Sequence, residues 1–457
     1  MNMLENEHLD ILGSNPFLYK LYTQLCLVFP GPEPSLAITD TLRNGLDRLA
    51  EGFPWLAGTV INEGASEGVT GTFRIVPSNE KIPLIMKDVR AETSAPTMES
   101  LRKSNYPFSM LNEKLIAPCL TLNLPGTTVG LAATSAPVFA VQVTFITGGM
   151  LLTFAGQHNV MDMTGQGHII DLLSKACHNQ PFTAEELSIG NMDRRKTITL
   201  LDDSFNPAVE LKHQMVKPSP PGNPSATSIP VPSTWVYVTF SSASLEALKS
   251  LATETKTISD GFISTDDAVS AFIWKCTSRA RLHRLASETE SAFARAVDVR
   301  QRMGIPKTYL GMFQNMTYNR NSLQNLVQQP LGAIASQLRR KLNPNVVDLA
   351  YNTRALATFQ SRSADKARTS ATACVDTSSG IMLSSWAKIN TYELDFNLGL
   401  GKPEVVRRPA FVPVESLVYL MPKSPTGEMA AGICLRDGDW EQLKADKEWA
   451  KYATYVG

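Results

Sequence analysis

The sequence carries no excess charge of either sign. Its 457 residues hold 43 Lys and Arg against 43 Asp and Glu, and charged side chains make up 19%, below the roughly 25% of an average soluble domain. Such a chain has no electrostatic footprint for nucleic acid, nor for an anionic membrane surface. Cysteine is sparse and nowhere paired in sequence. The nearest two of the six, Cys119 and Cys177, are 58 residues apart, so no CxxC redox or zinc pair exists. Cys26, Cys276, Cys374 and Cys434 are equally isolated, and scattered thiols read as reduced core residues of an intracellular protein. Residues 1–8 are acidic rather than basic and apolar, and Tyr455-Val456-Gly457 matches no sorting signal. The cytosol is the expectation.

Long uninterrupted hydrophobic runs are missing too. Leu115 to Met161 contains no Asp, Glu, Lys or Arg, yet Pro118, Pro125, Pro137 and Gly148-Gly149 break it before any stretch of about 18 apolar residues accumulates. What remains predicts two strands, Val138–Ile146 and Met150–Ala155, joined by a hairpin turn at Thr147-Gly148-Gly149. Strands apolar on both faces belong to a covered sheet. The second strand runs into Gly156-Gln157-His158-Asn159-Val160-Met161-Asp162, and the apolar spacing beyond it predicts a helix over Thr164–Cys177. Thr234–Phe240 reads as another strand, followed by a helix carrying Leu245, Leu248 and Leu251. Ser264 with Asp267 resembles a capping box opening a further helix, which carries Arg279, Arg281 and Arg284 toward its end. The proline cluster from Lys217 to Pro232 marks 201–234 as an extended, surface-lying crossover between an N-terminal lobe, 1–200, and a C-terminal lobe, 235–457. Helices and strands alternate in both, which gives an α/β (α+β) class.

Most catalytic signatures fail. There is no GxSxG nucleophile elbow, and no HExxH among the six histidines, so no metal is expected. Gly165-Gln166-Gly167 opens a helix after a strand but lacks the third glycine of a dinucleotide site, and Gly399-Leu400-Gly401-Lys402 lacks the rest of a phosphate loop. That leaves His158 and Asp162 at the end of a buried strand, where an imidazole can exchange protons near neutral pH. By spacing alone the pair reads equally as a half-buried histidine beside a capping aspartate.

The segment His158–Asp162 after its Gly-Gly hairpin resembles the HxxxD motif of the BAHD acyl-CoA-dependent acyltransferases. Four further segments follow in that family's order: Phe53–Gly58, Ser264–Trp274, Val297–Arg302, and Ser384-Ser385-Trp386 with Asp395–Gly399. Gly401-Lys402-Pro403-Glu404-Val405-Val406-Arg407-Arg408-Pro409 resembles the fungal branch that includes trichothecene 3-O-acetyltransferase. The resemblance implies a two-lobed, chloramphenicol-acetyltransferase-like fold with a mixed sheet in each lobe and a solvent channel between them. It implies a monomer that takes acetyl-CoA, or another acyl-CoA, as co-substrate and a small-molecule alcohol as acceptor, such as a trichothecene-like sesquiterpenoid. It also implies roles: His158 as general base, Asp162 as its structural companion, and Ser384 with the Trp386 indole as oxyanion donors. Arg300, or as second choice Arg302, would pair with Asp162, and Asp395 would be structural with a partner not specified. For the CoA phosphates, Lys256, Arg300, Arg302, Lys388 and Lys402 are the basic candidates. Two positions depart from the family pattern: Met163 replaces a frequent glycine, and Asn397-Leu398 replace Gly-Trp. A condensation domain using a carrier-bound thioester, or a non-catalytic small-molecule-binding relative, are the alternative readings.

Overall fold

The structure is a computed structural model that describes residues 8–31, 36–77, 81–122, 136–207, 209–217, 231–259 and 261–457. The acidic segment 1–7 and the proline cluster at 218–230 lie outside the described residues. In chain order the strands are β1 (Tyr22–Pro30), β2 (Thr59–Glu63), β3 (Thr72–Val76), β4 (Leu84–Asp88), β5 (Phe139–Ile146), β6 (Gly149–Gln157) and β7 (Ser233–Phe240). They continue with β8 (Glu290–Asp298), β9 (Gln314–Ser322), β10 (Ile381–Ser385), β11 (Val405–Arg407), β12 (Leu417–Leu420), β13 (Met429–Arg436) and β14 (Thr454–Tyr455).

Two mixed sheets organise the molecule. The first has the order β11-β1-β6-β5-β4, with β4 parallel to β5 and the other pairs antiparallel. The second has the order β14-β7-β13-β12-β10-β8-β9, in which β10 runs parallel to both β12 and β8. Strands β2 and β3 form a separate hairpin. The expected turn between β5 and β6 is present, with Gly148 at φ +83°, a conformation open to glycine.

Every residue of β5 and β6 is buried, because both faces of the first sheet are covered. Side chains on a strand alternate between faces. Leu25, Leu27 and Phe29 pack into the main core with helices Leu36–Gly52 and Met163–Cys177, whereas Cys26 and Val28 face Met98, Leu101 and Ile116 on the other side. The second sheet divides similarly. Trp235 and Tyr237 join the main core, and Val236, Val238 and Phe240 pack under helices Ser242–Glu254, Thr265–Ala280 and Leu331–Arg340. No helix among the described residues is long and apolar enough to cross a membrane.

Two features cross the division at 200 and 235. β11, late in the chain, belongs to the first sheet, where Cys26, Leu27 and Val28 of β1 pair with Arg407, Val406 and Val405. The described part of the crossover is not purely surface-lying either. Leu211 and Gln214 are buried, and Leu211 packs with Val299, Tyr309 and Phe359. Apolar content inside 209–217 anchors that stretch, so the extended-chain expectation fails there. The arginines ending helix Thr265–Ala280 also do more than face its dipole: Arg279 pairs with Asp446 and Glu448, while Arg281 and Arg284 converge on Asp439.

Candidate active site

His158 follows the last residue of β6, and its backbone N–H donates to the Leu21 carbonyl at 2.7 Å. The residue is partly exposed. Its Nδ1 lies 3.2 Å from the carbonyl oxygen of Met161. A carbonyl can only accept, so Nδ1 carries the hydrogen and Nε2 presents its lone pair. Burial, reinforced by the Arg408 cation, lowers the pKa of His158 below the usual imidazole value, against opposing contributions from the Met161 carbonyl and Asp162. The lowered pKa favours the neutral ring.

Asp162 is the N-cap of helix Met163–Cys177, accepting from Gly165 N–H at 2.9 Å in the ordinary manner of a capping carboxylate. It does not touch the imidazole through a hydrogen bond. Its two oxygens receive Arg300 Nη1 and Nη2, both at 2.8 Å, and Oδ2 also accepts from Phe313 N–H at 2.8 Å. Burial works to raise the Asp162 pKa, and the Arg300 guanidinium overrides it, holding the carboxyl below its usual range. Met163 takes the first helical position after that cap, with no positive φ, so the frequent glycine of the family is not needed for backbone freedom here.

Arg300 completes its donor set on Tyr309 O, Gly311 O and Asp298 Oδ1. With 0% exposure and every N–H engaged, it is unavailable to a phosphate; its assignment to CoA is corrected on that ground. Three of the remaining basic candidates each have a different partner. Lys256 Nζ donates to Gly261 O, Arg302 Nη2 to Leu342 O, and Lys402 Nζ to Glu393. Lys388 is exposed.

At the end of β10, the Trp386 indole N–H donates to Ser384 Oγ at 3.0 Å. Trp386 is buried and Ser384 partly exposed. The two expected oxyanion donors are thus bonded to each other: the indole hydrogen is engaged, and the Ser384 O–H is left to donate. Ser385 hydrogen-bonds Asp266, which pairs with Arg295.

Asp395 has its partners in the helix that Asp162 caps. Its carbonyl accepts from Ser174 Oγ at 2.6 Å and lies 3.0 Å from His178 Nε2, while its carboxylate accepts from Asn397 N–H at 2.8 Å. Asn397 sits at φ +56° and donates to Cys177 O. It takes a left-handed conformation that asparagine tolerates far better than most residues, which accounts for its presence in place of glycine.

The two glycines of the incomplete dinucleotide pattern are packing residues. A Cβ on Gly165 would meet the Leu310 carbonyl oxygen at 2.3 Å, and one on Gly167 would press on Ile389. Among the described residues, no group of three or more His, Cys, Asp or Glu is placed to hold a metal.

Sequence reasoning missed the Met161 carbonyl, Asp298 and Arg408. Arg408 lay inside a quoted motif, but only as a resemblance. Its guanidinium stacks 4.0 Å from the Phe411 ring centre and 5.0 Å from that of Tyr419. Tyr419 is the strand partner of Ser384 and packs on Trp386.

A family model described as the trichothecene 3-O-acetyltransferase-like N-terminal domain matches residues 21–177. A Saccharomyces cerevisiae protein named trichothecene 3-O-acetyltransferase is 57% identical, over 100% of this chain and 97% of its own. Trichothecene 3-O-acetyltransferase TRI101 of Fusarium sporotrichioides is 50% identical over 98% and 97% of the two chains. The crystal structure of F. graminearum TRI101 with coenzyme A and T-2 mycotoxin matches with a TM-score of 0.92, at 46% identity and 99% coverage of both chains.

Proposed function

This chain belongs to the trichothecene 3-O-acetyltransferase family, and from that premise we propose how its own residues acetylate an alcohol. It is an acyl-CoA-dependent O-acetyltransferase of the BAHD type. The acceptor we assign is a hydroxyl of a trichothecene-like sesquiterpenoid, supported by the relatives named for that substrate.

His158 Nε2 takes the hydroxyl proton as the acceptor oxygen forms its bond to the thioester carbonyl. Collapse of the tetrahedral intermediate breaks the C–S bond, and the imidazolium returns the proton to the departing CoA thiolate. Both substrates are present together, so no acyl-enzyme is needed. The Ser384 hydroxyl, freed by the Trp386 indole, donates to the oxyanion. Asp162 and Arg300 hold the shape of the loop on which His158 stands. In this reading Lys256, Arg302 and Lys402 remain the groups for the CoA phosphates, and the enzyme acts as a cytosolic monomer.

The observation that carries the proposal is the Nδ1 contact with the Met161 carbonyl, which leaves the Nε2 lone pair to a proton donor on a partly exposed residue. The test is thiol release from acetyl-CoA with deoxynivalenol as acceptor. Wild-type protein is expected to release CoA only when the acceptor is present, and His158→Ala to lose roughly 10²–10⁴-fold in kcat. Near-normal turnover in His158→Ala would exclude it as the base.

A further inference from the structure

Two buried arginines hold the segment that carries His158. Arg300 grips its far end through Asp162. Arg194, equally sequestered, reaches its middle: Nη1 donates to the Val160 carbonyl at 2.9 Å. The Arg194 guanidinium lies 4.2 Å from the Trp55 ring centre, and its Nη1 stands 3.6 Å from Asp10 Oδ2. Both neighbours are themselves fixed. The Trp55 indole N–H donates to the Gly190 carbonyl at 3.1 Å. Asp10 Oδ1 accepts from the Tyr309 hydroxyl at 2.7 Å and from Thr197 Oγ1 at 3.0 Å, and Oδ2 accepts from Met312 N–H at 3.0 Å. A planar cation held between a ring and a carboxyl has few orientations open to it. Tyr309 joins the two arginines, because its carbonyl receives Arg300 Nε while its hydroxyl serves Asp10.

The Val160 carbonyl belongs to the peptide plane just before Met161, and the planes on either side of a residue set its backbone conformation. That first plane has its carbonyl on Arg194 and its N–H on the Gln157 carbonyl, at 3.2 Å. The plane after Met161 supplies the carbonyl oxygen that faces His158 Nδ1, and it ends on Asp162, which Arg300, Gly165 and Phe313 hold. Gly13 closes the segment from a third direction: a Cβ there would meet the Asn159 carbonyl oxygen at 1.9 Å. Loss of the Arg194 bond frees the first plane to turn, and the Met161 carbonyl turns with it. An imidazole without that acceptor is free to carry its hydrogen on Nε2, the atom whose lone pair the acceptor hydroxyl needs.

We propose that Arg194 is a positioning residue for acyl transfer: by holding the Val160 carbonyl it sets the Met161 carbonyl against Nδ1 and keeps His158 in the Nδ1–H tautomer. This rests on His158 being the base.

The test measures kcat, the KM for each substrate and the His158 ring-nitrogen NMR resonances, which report the tautomer. It compares wild type with Arg194→Met, Arg194→Lys and Asp10→Asn, using acetyl-CoA and deoxynivalenol. Wild type is expected to carry the hydrogen on Nδ1. Arg194→Met is expected to populate the Nε2–H form and to lose about 10²-fold in kcat, with both KM values near wild type. Arg194→Lys keeps the charge but not the planar fork, and Asp10→Asn loosens the guanidinium without removing it. Both should shift the tautomer and kcat in the same direction by less. An unchanged tautomer or an unchanged kcat in folded Arg194→Met overturns the proposal. If that variant does not fold, the two milder ones decide on the same terms, and a wild-type ring already on Nε2–H overturns it outright. The resonances read the ring whether or not it is the base, so a failure of the base assignment would show separately, as near-normal turnover in His158→Ala.

Discussion

The Trp386 indole N–H points at the hydroxyl oxygen of Ser384, 3.0 Å away, and not at open space. In the proposed mechanism one residue is the donor to the oxyanion and the other its orienter. Ser384→Ala is expected to cost roughly 10²–10³-fold in kcat. Trp386→Phe, which removes one neutral hydrogen bond, should cost about tenfold. Because the two act as a unit, the double variant should be little worse than Ser384→Ala alone. Steady-state kinetics of the three proteins check this; additive losses would show that each contacts the substrate independently.

The pH dependence follows from three histidines whose pKa values are lowered in the fold. Burial is the main cause for His158, His168 and His213, the last being pulled down to about 4. In the proposed mechanism the active form of His158 is neutral, so kcat/KM should fall on acidification with a midpoint below ~6.5. Stability moves in the same direction. The unfolded chain takes up protons at the ordinary histidine value while the folded chain resists, so acidification below ~6.5 favours unfolding until the folded values are reached. Thermal melting between pH 8 and 4 should show this decline, and a rise in stability over that window would contradict it.

The Asp162–Arg300 pair is buried and bidentate, so its two members are not exchangeable for near-relatives. Removing one partner of such a pair costs roughly 3–5 kcal/mol. Arg300→Lys keeps the charge but loses the planar fork. Both Asp162→Asn and Arg300→Lys are expected to lower melting temperature and kcat while leaving the KM for acetyl-CoA near wild type. A selective rise in that KM would place Arg300 on the co-substrate, contrary to its burial.

Asn397 offers a cleaner stability test, since it lies far from the proton transfer. At φ +56°, Asn397→Ala is expected to cost about 1–2 kcal/mol. Asn397→Gly should lose only its hydrogen bond to the Cys177 carbonyl. Denaturant unfolding distinguishes the two; equal losses would mean the side-chain bond matters and the backbone does not.

Much of this was legible from residues alone. The β5–β6 hairpin, the helix after Asp162 and the Ser264 capping box have local causes: β-branched content, Gly148, and a hydroxyl three residues before a carboxylate. His158 stood out because it ends a strand with no polar face. What escaped was whatever depends on distant parts of the chain meeting. No local pattern tells that Arg300 exhausts its donors or that the Trp386 hydrogen is occupied. β11 is three residues long and carries no periodic signal, so its place in the first sheet could not be read.

That short strand bears on how the protein is made. β1 is flanked by β6 on one side and by Val405–Arg407 on the other, and on a ribosome the second neighbour emerges only after some nine-tenths of the polypeptide has been synthesised. Until then the nascent chain exposes an almost wholly apolar strand with open backbone groups, the kind of edge that recruits other chains. Premature termination anywhere before Val405 should therefore yield a product prone to self-association, one that needs chaperone cover during translation.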